Sequence, residues 1–185
     1  MRHKRVLVSI LAGVVLSVAG ALALAAGEEK STVKVPGGLA FSEFRGYEAW
    51  QAISISRNER VVAMILGNPA MIDAYRAGIP ANGKPVPDGA KMAKIHWVPK
   101  PNDFFKEATV PGRLVNVDFM VKDSKRFADS GGWGYAVFDY DAASDTFKPG
   151  TTAGTPPQGN DAKCGLACHT RAKARDYVFT EYGKR

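Results

Sequence analysis

Residues 113–122 alternate in polarity with a period of two, which is the pattern of a half-buried β-strand. One face of this strand would be wholly apolar, and the opposite face would mix polar and apolar side chains. The first face carries Val115, Val117, Phe119 and Val121, and the second carries Leu114, Asn116, Asp118 and Met120. Such a strand buries its apolar face by joining a sheet, so a sheet-based fold is the first expectation.

Residues 90–97 form a second alternating strand, and each of its faces carries a lysine. If Ala93 and Ile95 face the core with Lys91, then Lys94 lies on the opposite face with Met92 and His96. We expect His96 to be a surface imidazole, and the alternative is a proton acceptor near a binding site. In the loop that follows, Phe104 and Phe105 are expected to pack in the core, and the alternative is that they close a ligand pocket.

The rest of the chain adds two strands and one short helix. Residues 61–66 and 133–140 are rich in β-branched or aromatic side chains, which favours strands. Asn68 and Pro69 are typical of a helix start, and Gly78 is typical of a helix end. Residues 141–161 have the composition of a loop, and the final segment reads as a helical turn followed by an extended end. Few long helices and several strands predict an α+β fold: an antiparallel β-sheet with flanking helices.

The N-terminal 26 residues have the organisation of a signal peptide. Residues 1–5 are basic, residues 6–24 are almost entirely apolar, and small residues then offer a cleavage site after Ala25 or Ala26. A linker at 27–40 and one domain at 41–185 would follow, and the expected location is the periplasm. An uncleaved membrane anchor is the alternative, because the apolar run is just long enough to span a bilayer.

The charge of the chain gives little support for a nucleic-acid partner. The formal net charge is +7, and removal of a leader containing Arg2, Lys4 and Arg5 would lower it to about +4. No basic cluster with interleaved aromatic residues stands out, so we expect no nucleic-acid binding.

The two cysteines stand close together, in the segment Cys164-Gly-Leu-Ala-Cys168-His169. Two thiols followed at once by a histidine are the pattern of covalent haem attachment, with the histidine reaching the iron. The usual spacer between the thiols has two residues, whereas this one has three. On a helix this spacing still places both thiols on one face. The segment therefore predicts one covalent c-type haem per chain, bound by Cys164 and Cys168 and ligated by His169.

Other interpretations of the same cysteines remain open. A disulfide between Cys164 and Cys168 would suit an oxidising compartment, but it would leave His169 without a role. A zinc site would need a fourth ligand, for which His96 is the remaining histidine outside the leader. Two unconnected buried thiols are the third possibility.

Several segments together resemble the cytochrome P-460 family, in the group that also holds the cytochromes c prime beta. The resemblance spans roughly residues 41–182. It is carried by residues 121–128 (Val-Lys-Asp-Ser-Lys-Arg-Phe-Ala), by Gly132-Trp-Gly-Tyr135 with Phe138, by Pro87-Asp-Gly-Ala90 with Lys94, and by the haem segment with residues 176–180 (Asp-Tyr-Val-Phe-Thr).

The resemblance implies a mostly antiparallel sheet, a homodimer, and one c-type haem per subunit with an open distal position. In the P-460 enzymes a lysine is joined to the porphyrin, and the family pattern falls on Lys94 here. A pocket carboxylate of those enzymes falls on Asp118, which would be a base for the protons of hydroxylamine.

Two functions follow from this resemblance. The first is oxidation of hydroxylamine to nitrous oxide or nitric oxide, with electrons passed to a redox partner such as another cytochrome. The second is nitric-oxide binding without turnover, as in the c prime beta relatives, which lack the cross-link.

Overall fold

The computed structural model describes residues 33–35, 39–151 and 165–185. The predicted signal peptide, most of the linker and Cys164 lie outside these residues. Among the described residues, no helix has the length and apolar character needed to cross a bilayer.

Six antiparallel strands form one sheet, and each strand lies beside its neighbour in the chain. Their bounds are β1 Gln51–Arg57, β2 Val62–Gly67, β3 Lys91–Pro101, β4 Thr109–Lys122, β5 Trp133–Asp141 and β6 Thr146–Pro149. Helix α1 spans Pro69–Arg76 between β2 and β3, and the one-turn helix α2 spans Leu166–His169 near the C-terminus. Short 3-10 turns lie at Phe41–Phe44, Tyr47–Ala49, Ala128–Ser130 and Thr170–Arg175. The predicted α+β fold with an antiparallel sheet is confirmed.

Four strands and the helix were predicted within a few residues of their bounds. Asn68 caps α1 as expected, since its side chain accepts a hydrogen bond of 3.1 Å from the amide of Met71. The prediction of a loop throughout residues 141–151 was wrong, because β6 lies there. Strand β1 was not predicted. It is partly polar and half-exposed, and its register shifts between Ala52 and Ser54.

The two faces of the sheet are covered by opposite ends of the described chain. On one face, Phe41, Phe44 and Tyr47 from the N-terminal turns pack against Phe119 and Phe138. The opposite face is covered partly by α1 and partly by the C-terminal segment, residues 165–185. Functional side chains on this second face therefore lie beneath the segment that contains His169.

The predicted faces of β3 and β4 are confirmed over most of their length. Ala93 and Val117 join the N-terminal cluster, whereas Met92 and Met120 join the other. Leu114 is the exception, because it packs with the cluster of Val117 rather than on the opposite face. The register shift after His96 explains this, since His96 pairs with Asn116 but Trp97 pairs with Leu114.

Strands β3 and β4 continue beyond the rest of the sheet as a two-stranded arm. The pairing of β2 with β3 ends at Trp97, and that of β4 with β5 begins at Asn116. The loop at the tip of this arm carries Phe104 and Phe105, which are 101% and 62% exposed. The expectation that they pack in the core was wrong, because no other described strand lies beside the arm to cover them.

Candidate functional site

A cavity of about 640 Å³, partly open to solvent, lies between the second face of the sheet and the C-terminal segment. Strands β3, β4 and β5 form one wall, with Lys94, Asp118 and Tyr135. The C-terminal segment forms the other wall, with His169 and Phe179.

Lys94 and Asp118 occupy directly opposite positions on β3 and β4. Directly opposite residues of an antiparallel pair project from the same face, and both line the cavity. Ile65 on β2 lies on the other side of Lys94, and Val137 on β5 lies on the other side of Asp118. A single row across the sheet thus places one cationic and one acidic group between two apolar residues.

His169 ends helix α2 and enters the cavity from the opposite wall. Its Nδ1 lies 2.7 Å from the carbonyl oxygen of Tyr177. A carbonyl oxygen can only accept, so Nδ1 carries the proton and donates. In the neutral ring Nε2 then has a free lone pair, which is the arrangement found in metal-ligating histidines. Burial lowers the pKa of His169; the hydrogen bond to the Tyr177 carbonyl opposes this shift, and the charge of Lys94 adds to it.

Two aromatic rings fix the orientation of the His169 imidazole further. Its ring centroid lies 5.2 Å from that of Tyr135 and 5.0 Å from that of Phe179, which meets it edge to face. Tyr135 comes from β5 and Phe179 from the C-terminal segment. His169 is thus held from both walls of the cavity.

The Tyr177 carbonyl is itself held in place by an unusual turn. Asp176 and Tyr177 both have positive φ angles, of 48° and 65°. This backbone conformation costs free energy in residues other than glycine and persists only where surrounding contacts impose it. One such contact is a hydrogen bond of 2.8 Å from the indole Nε1 of Trp133 to the carbonyl oxygen of Asp176.

The side chain of Asp176 supplies the other contacts. Lys122 Nζ lies 2.9 Å from both carboxylate oxygens of Asp176, and it also donates to the Gly131 carbonyl oxygen at 3.0 Å. The amide of Val86 donates to the same carboxylate at 2.8 Å. The Lys122 and Asp176 side chains are only 6% and 14% exposed, so this is a buried ion pair.

The segments that carried the family resemblance meet at this turn. Lys122, Trp133, Asp176 and Tyr177 come from three of them and together position His169. A fourth segment is attached through Asp88, whose carboxylate accepts hydrogen bonds from the amide and hydroxyl of Ser124, at 2.8 and 2.7 Å. The sequence motifs flag these residues, but only the structure shows that their shared task is to support His169.

Asp118 is mostly buried, and its surroundings favour the protonated form. Burial raises the pKa of Asp118 to about 7; Lys94 opposes this shift, and the negative charge of Asp139 adds to it. A carboxyl group with a pKa near neutrality can accept and release protons at the pH of the cell.

His96 lies behind Asp118 and is only 7% exposed. Its Nδ1 is 3.7 Å from Oδ2 of Asp118. Burial lowers the pKa of His96 to about 4, with the charge of Lys94 as a second cause. The expectation of a surface imidazole was wrong: β3 is an inner strand here, paired with β2 at Ala63 and with β4 at Asn116, and the His96 side chain is buried.

The residues of this cavity fit a haem with a histidine on its proximal side. The walls are mainly apolar, with Met92, Met120 and Val178 among the lining residues. Tyr135 places a buried hydroxyl in the same cavity, without a hydrogen-bond partner among the described residues. A buried hydroxyl without a hydrogen bond costs free energy, and a polar group of a bound ligand would supply the missing partner. Cys168 lies immediately before His169 in helix α2.

The alternatives for the cysteines involve Cys164, which lies outside the described residues. Within those residues, no three His, Cys, Asp or Glu side chains come together as a metal site would require. In particular, His96 lies on β3 of the sheet and does not line the cavity, whereas His169 lies on the C-terminal segment that forms the opposite wall.

The Cytochrome P460 family model matches residues 44–180. The matched region includes all six strands, Lys94, Asp118 and the segment with both cysteines and His169. No curated protein matches the chain.

Proposed function

The chain belongs to the cytochrome P460 family, whose members are haem-binding cytochromes, and on this basis we propose that it oxidises hydroxylamine at an open haem iron site. The products would be nitrous oxide or nitric oxide, and the electrons would pass to a redox partner such as another cytochrome. A haem bound in the cavity would supply the iron that binds hydroxylamine and takes up its electrons.

The observation that carries this proposal is the position of Lys94. It lines the same cavity as His169 but comes from the opposite wall. A porphyrin ligated by His169 and covalently attached to Lys94 would be held from both sides. Lys91, three residues earlier, is on the other face of β3, where its Nζ donates to the Glu43 carbonyl oxygen.

Asp118 gives a second reason to favour turnover over gas binding. Oxidation of hydroxylamine releases one proton with each electron, so the reaction needs a base close to the substrate. Reversible binding of nitric oxide needs no base. A buried carboxyl group with its pKa near 7, lining the cavity beside Lys94, meets the requirement of the enzyme.

The proposal extends to attachment, stoichiometry and location. One haem per chain would be attached through Cys164 and Cys168, with His169 as the iron ligand. Such attachment takes place on the outer side of the inner membrane, so it requires that residues 1–26 act as a signal peptide. N-terminal sequencing of the mature protein tests the signal peptide, and haem staining of a periplasmic fraction tests covalent attachment and location.

Mass spectrometry of the digested holoprotein tests the role of Lys94. We expect the Lys94 peptide to be joined to the haem peptide that contains Cys164 and Cys168. In Lys94→Ala the two peptides should separate and hydroxylamine turnover should fall at least tenfold. Lys91→Ala is the matched control from the opposite face of β3, and it should keep both the cross-link and the turnover.

Two results would point elsewhere. A haem peptide that holds only the two cysteines, with tight nitric-oxide binding and no turnover, would assign the protein to the gas-binding class. A holoprotein without covalent haem after export with the maturation machinery would contradict the attachment itself. Size-exclusion chromatography with light scattering tests the homodimer that the family resemblance implies.

A further inference from the structure

A buried histidine–carboxyl pair lies on the sheet side of the cavity, and only one of its two members lines the cavity. Asp118 lines the cavity, whereas His96 is behind it on β3, two positions from Lys94. The His96 Nδ1 and Asp118 Oδ2 atoms are 3.7 Å apart, and the two side chains are 9% and 17% exposed. A small closing movement would bring them within hydrogen-bonding distance.

Both groups have hydrogen-bonding capacity that is not used. His96 Nδ1 and Asp118 Oδ1 are buried and have no hydrogen-bond partner among the described residues. Buried polar atoms are normally satisfied, and exceptions occur where a ligand or a transferred proton is handled. Asp118 Oδ1 is therefore buried and unpaired, and Oδ2 is the oxygen that faces His96 Nδ1.

The other groups around the pair limit where a proton can go. Lys94, two residues before His96 on β3, lies on the same face of the strand and brings a positive charge. On β2, Ala63 is opposite His96 and cannot titrate. On β4, Asn116 is opposite His96, and Asp139 on β5 is opposite Asn116. Asp139, which is partly exposed, is therefore a titratable group in the same row across the sheet as His96, one strand beyond Asn116.

We propose that His96 is a positioning residue that receives, at Nδ1, a proton from Asp118 when Asp118 takes a proton from a ligand in the cavity. The inference rests on the proposed haem site but not on hydroxylamine as the substrate. The proton count balances if Asp118 begins in its protonated form: it gives its proton to His96 Nδ1 and takes one proton from the ligand, so that Asp118 is again protonated and His96 becomes an imidazolium.

The ionisation of the pair supports this arrangement. With a pKa of about 7 for Asp118 and about 4 for His96, the pair holds a protonated or half-protonated carboxyl and a neutral imidazole at neutral pH. The neutral Nδ1 is then an acceptor beside a carboxyl donor. Because burial disfavours the imidazolium form, His96 would hold the transferred proton only transiently.

Cyanide binding to the ferric holoprotein tests the proposal without any enzymatic turnover. Hydrogen cyanide must lose its proton to bind iron as the anion, so its association rate at neutral pH reports a base in the cavity. His96→Asn keeps a polar group near the position of Nδ1 but cannot take up a proton. We expect this variant to bind cyanide at least tenfold more slowly at neutral pH, since proton transfer to a positioned group contributes about 10²-fold or more.

Two internal controls separate proton transfer from a change of shape. At a pH where cyanide is already the anion, His96→Asn and the wild type should bind it equally fast. Carbon monoxide binding to the ferrous protein involves no proton and should also be unchanged. Equal slowing in all three assays would mean that His96 only shapes the cavity, and it would overturn the proposal, as would a wild-type rate in His96→Asn at neutral pH.

A double-variant comparison tests whether His96 acts through Asp118. If it does, adding His96→Asn to Asp118→Asn should slow cyanide binding no further. If the two residues act independently, the two rate effects should multiply.

If His96→Asn does not fold, the wild type decides the matter in mixtures of light and heavy water. Two protons in transfer give a curved dependence of rate on deuterium fraction, and a straight line contradicts the relay. If the wild-type protein does not oxidise hydroxylamine but the cyanide results are as expected, the proposed enzyme activity is refuted and the relay is not.

Discussion

His169 Nδ1 donates a hydrogen bond of 2.7 Å to the carbonyl oxygen of Tyr177, a residue held in the left-handed conformation with φ 65°. The strain in this turn and the orientation of the imidazole are therefore linked. A change that displaces Tyr177 should alter the haem environment even though it touches neither the haem nor His169.

Gly131→Ala should displace Tyr177. A Cβ at Gly131 would lie 2.3 Å from the Tyr177 ring, and Gly131 also has φ 71°. We expect a loss of at least about 2 kcal/mol in the free energy of unfolding, from backbone strain and overpacking together. The absorption spectrum of the haem should shift as well.

Gly89→Ala is the matched control for this substitution. Gly89 has φ 86°, but a Cβ there would meet nothing within 4 Å. It should show the strain alone, about 1 kcal/mol, and an unchanged haem spectrum. Equal spectra for both variants would contradict the link between Tyr177 and His169.

Asp176→Asn should be strongly destabilising. It removes the partner of Lys122, whose side chain is 6% exposed, and so leaves a buried cation without a counter-charge. Breaking a buried pair in this way costs about 3–5 kcal/mol. Urea denaturation measures the loss.

A surface ion pair provides the comparison for Asp176. Asp73 and Arg76 are 3.3 Å apart on α1, with side chains 72% and 61% exposed. Asp73→Asn should change the free energy of unfolding by less than about 1 kcal/mol. If the two variants lose the same amount, the buried pair does not support the turn.

The Asp118–His96 pair should make opposing contributions to stability as pH changes. The raised pKa of Asp118 means that the folded protein holds a proton there that the unfolded chain has lost, between about pH 4 and 7. Stability from this group falls as pH rises through that window. For His96 the unfolded chain holds the extra proton between about pH 4 and 6.5, so its contribution rises with pH.

Single variants should expose each contribution, because the two slopes nearly cancel in the wild type. In protein produced without haem, Asp118→Asn should become more stable as pH rises from 4.5 to 6.5. His96→Asn should become less stable over the same range, each by about 1.4 kcal/mol per pH unit at most. Urea denaturation at several pH values measures both, and parallel curves for the two variants would refute the assignment.

Phe104→Ser should leave the free energy of unfolding within about 0.5 kcal/mol of the wild type, because this side chain is fully exposed at the tip of the arm. Phe119→Ala is the contrast. Phe119 is 1% exposed and stacks on Phe44 at 4.1 Å, so its loss should cost about 3–5 kcal/mol. A large effect of Phe104→Ser would show that the tip is covered by a partner in solution.

The sequence predicted those parts of the site that depend on strand periodicity. Lys94 and Asp118 were expected on the mixed faces of their strands, and the structure places both on the wall of one cavity. Periodicity says which face a residue occupies but not what covers that face. This is why His96 and the tip phenylalanines were misjudged: the burial of each depends on neighbouring strands that their own segments do not specify.

The remaining misses have local causes. Strand β6 has only four residues and follows Asp145, which has a positive φ, in a segment rich in turn-forming residues. The network around Asp176 joins residues that are far apart in the chain, such as Lys122 and Asp176, 54 positions apart. Motif resemblance identified both residues, but no pattern within the sequence indicated that they pair.

The cavity wall that carries His169 is joined to the body of the protein by contacts of very long sequence separation. The Tyr75 hydroxyl donates to the Thr180 carbonyl oxygen across 105 positions, and Gln51 bonds to the Tyr182 hydroxyl across 131. Contacts that close such long loops form late, because their entropic cost is met only after the rest is ordered. The sheet, whose strands each pair with the next in the chain, would fold first, and docking of the C-terminal segment would complete the cavity last.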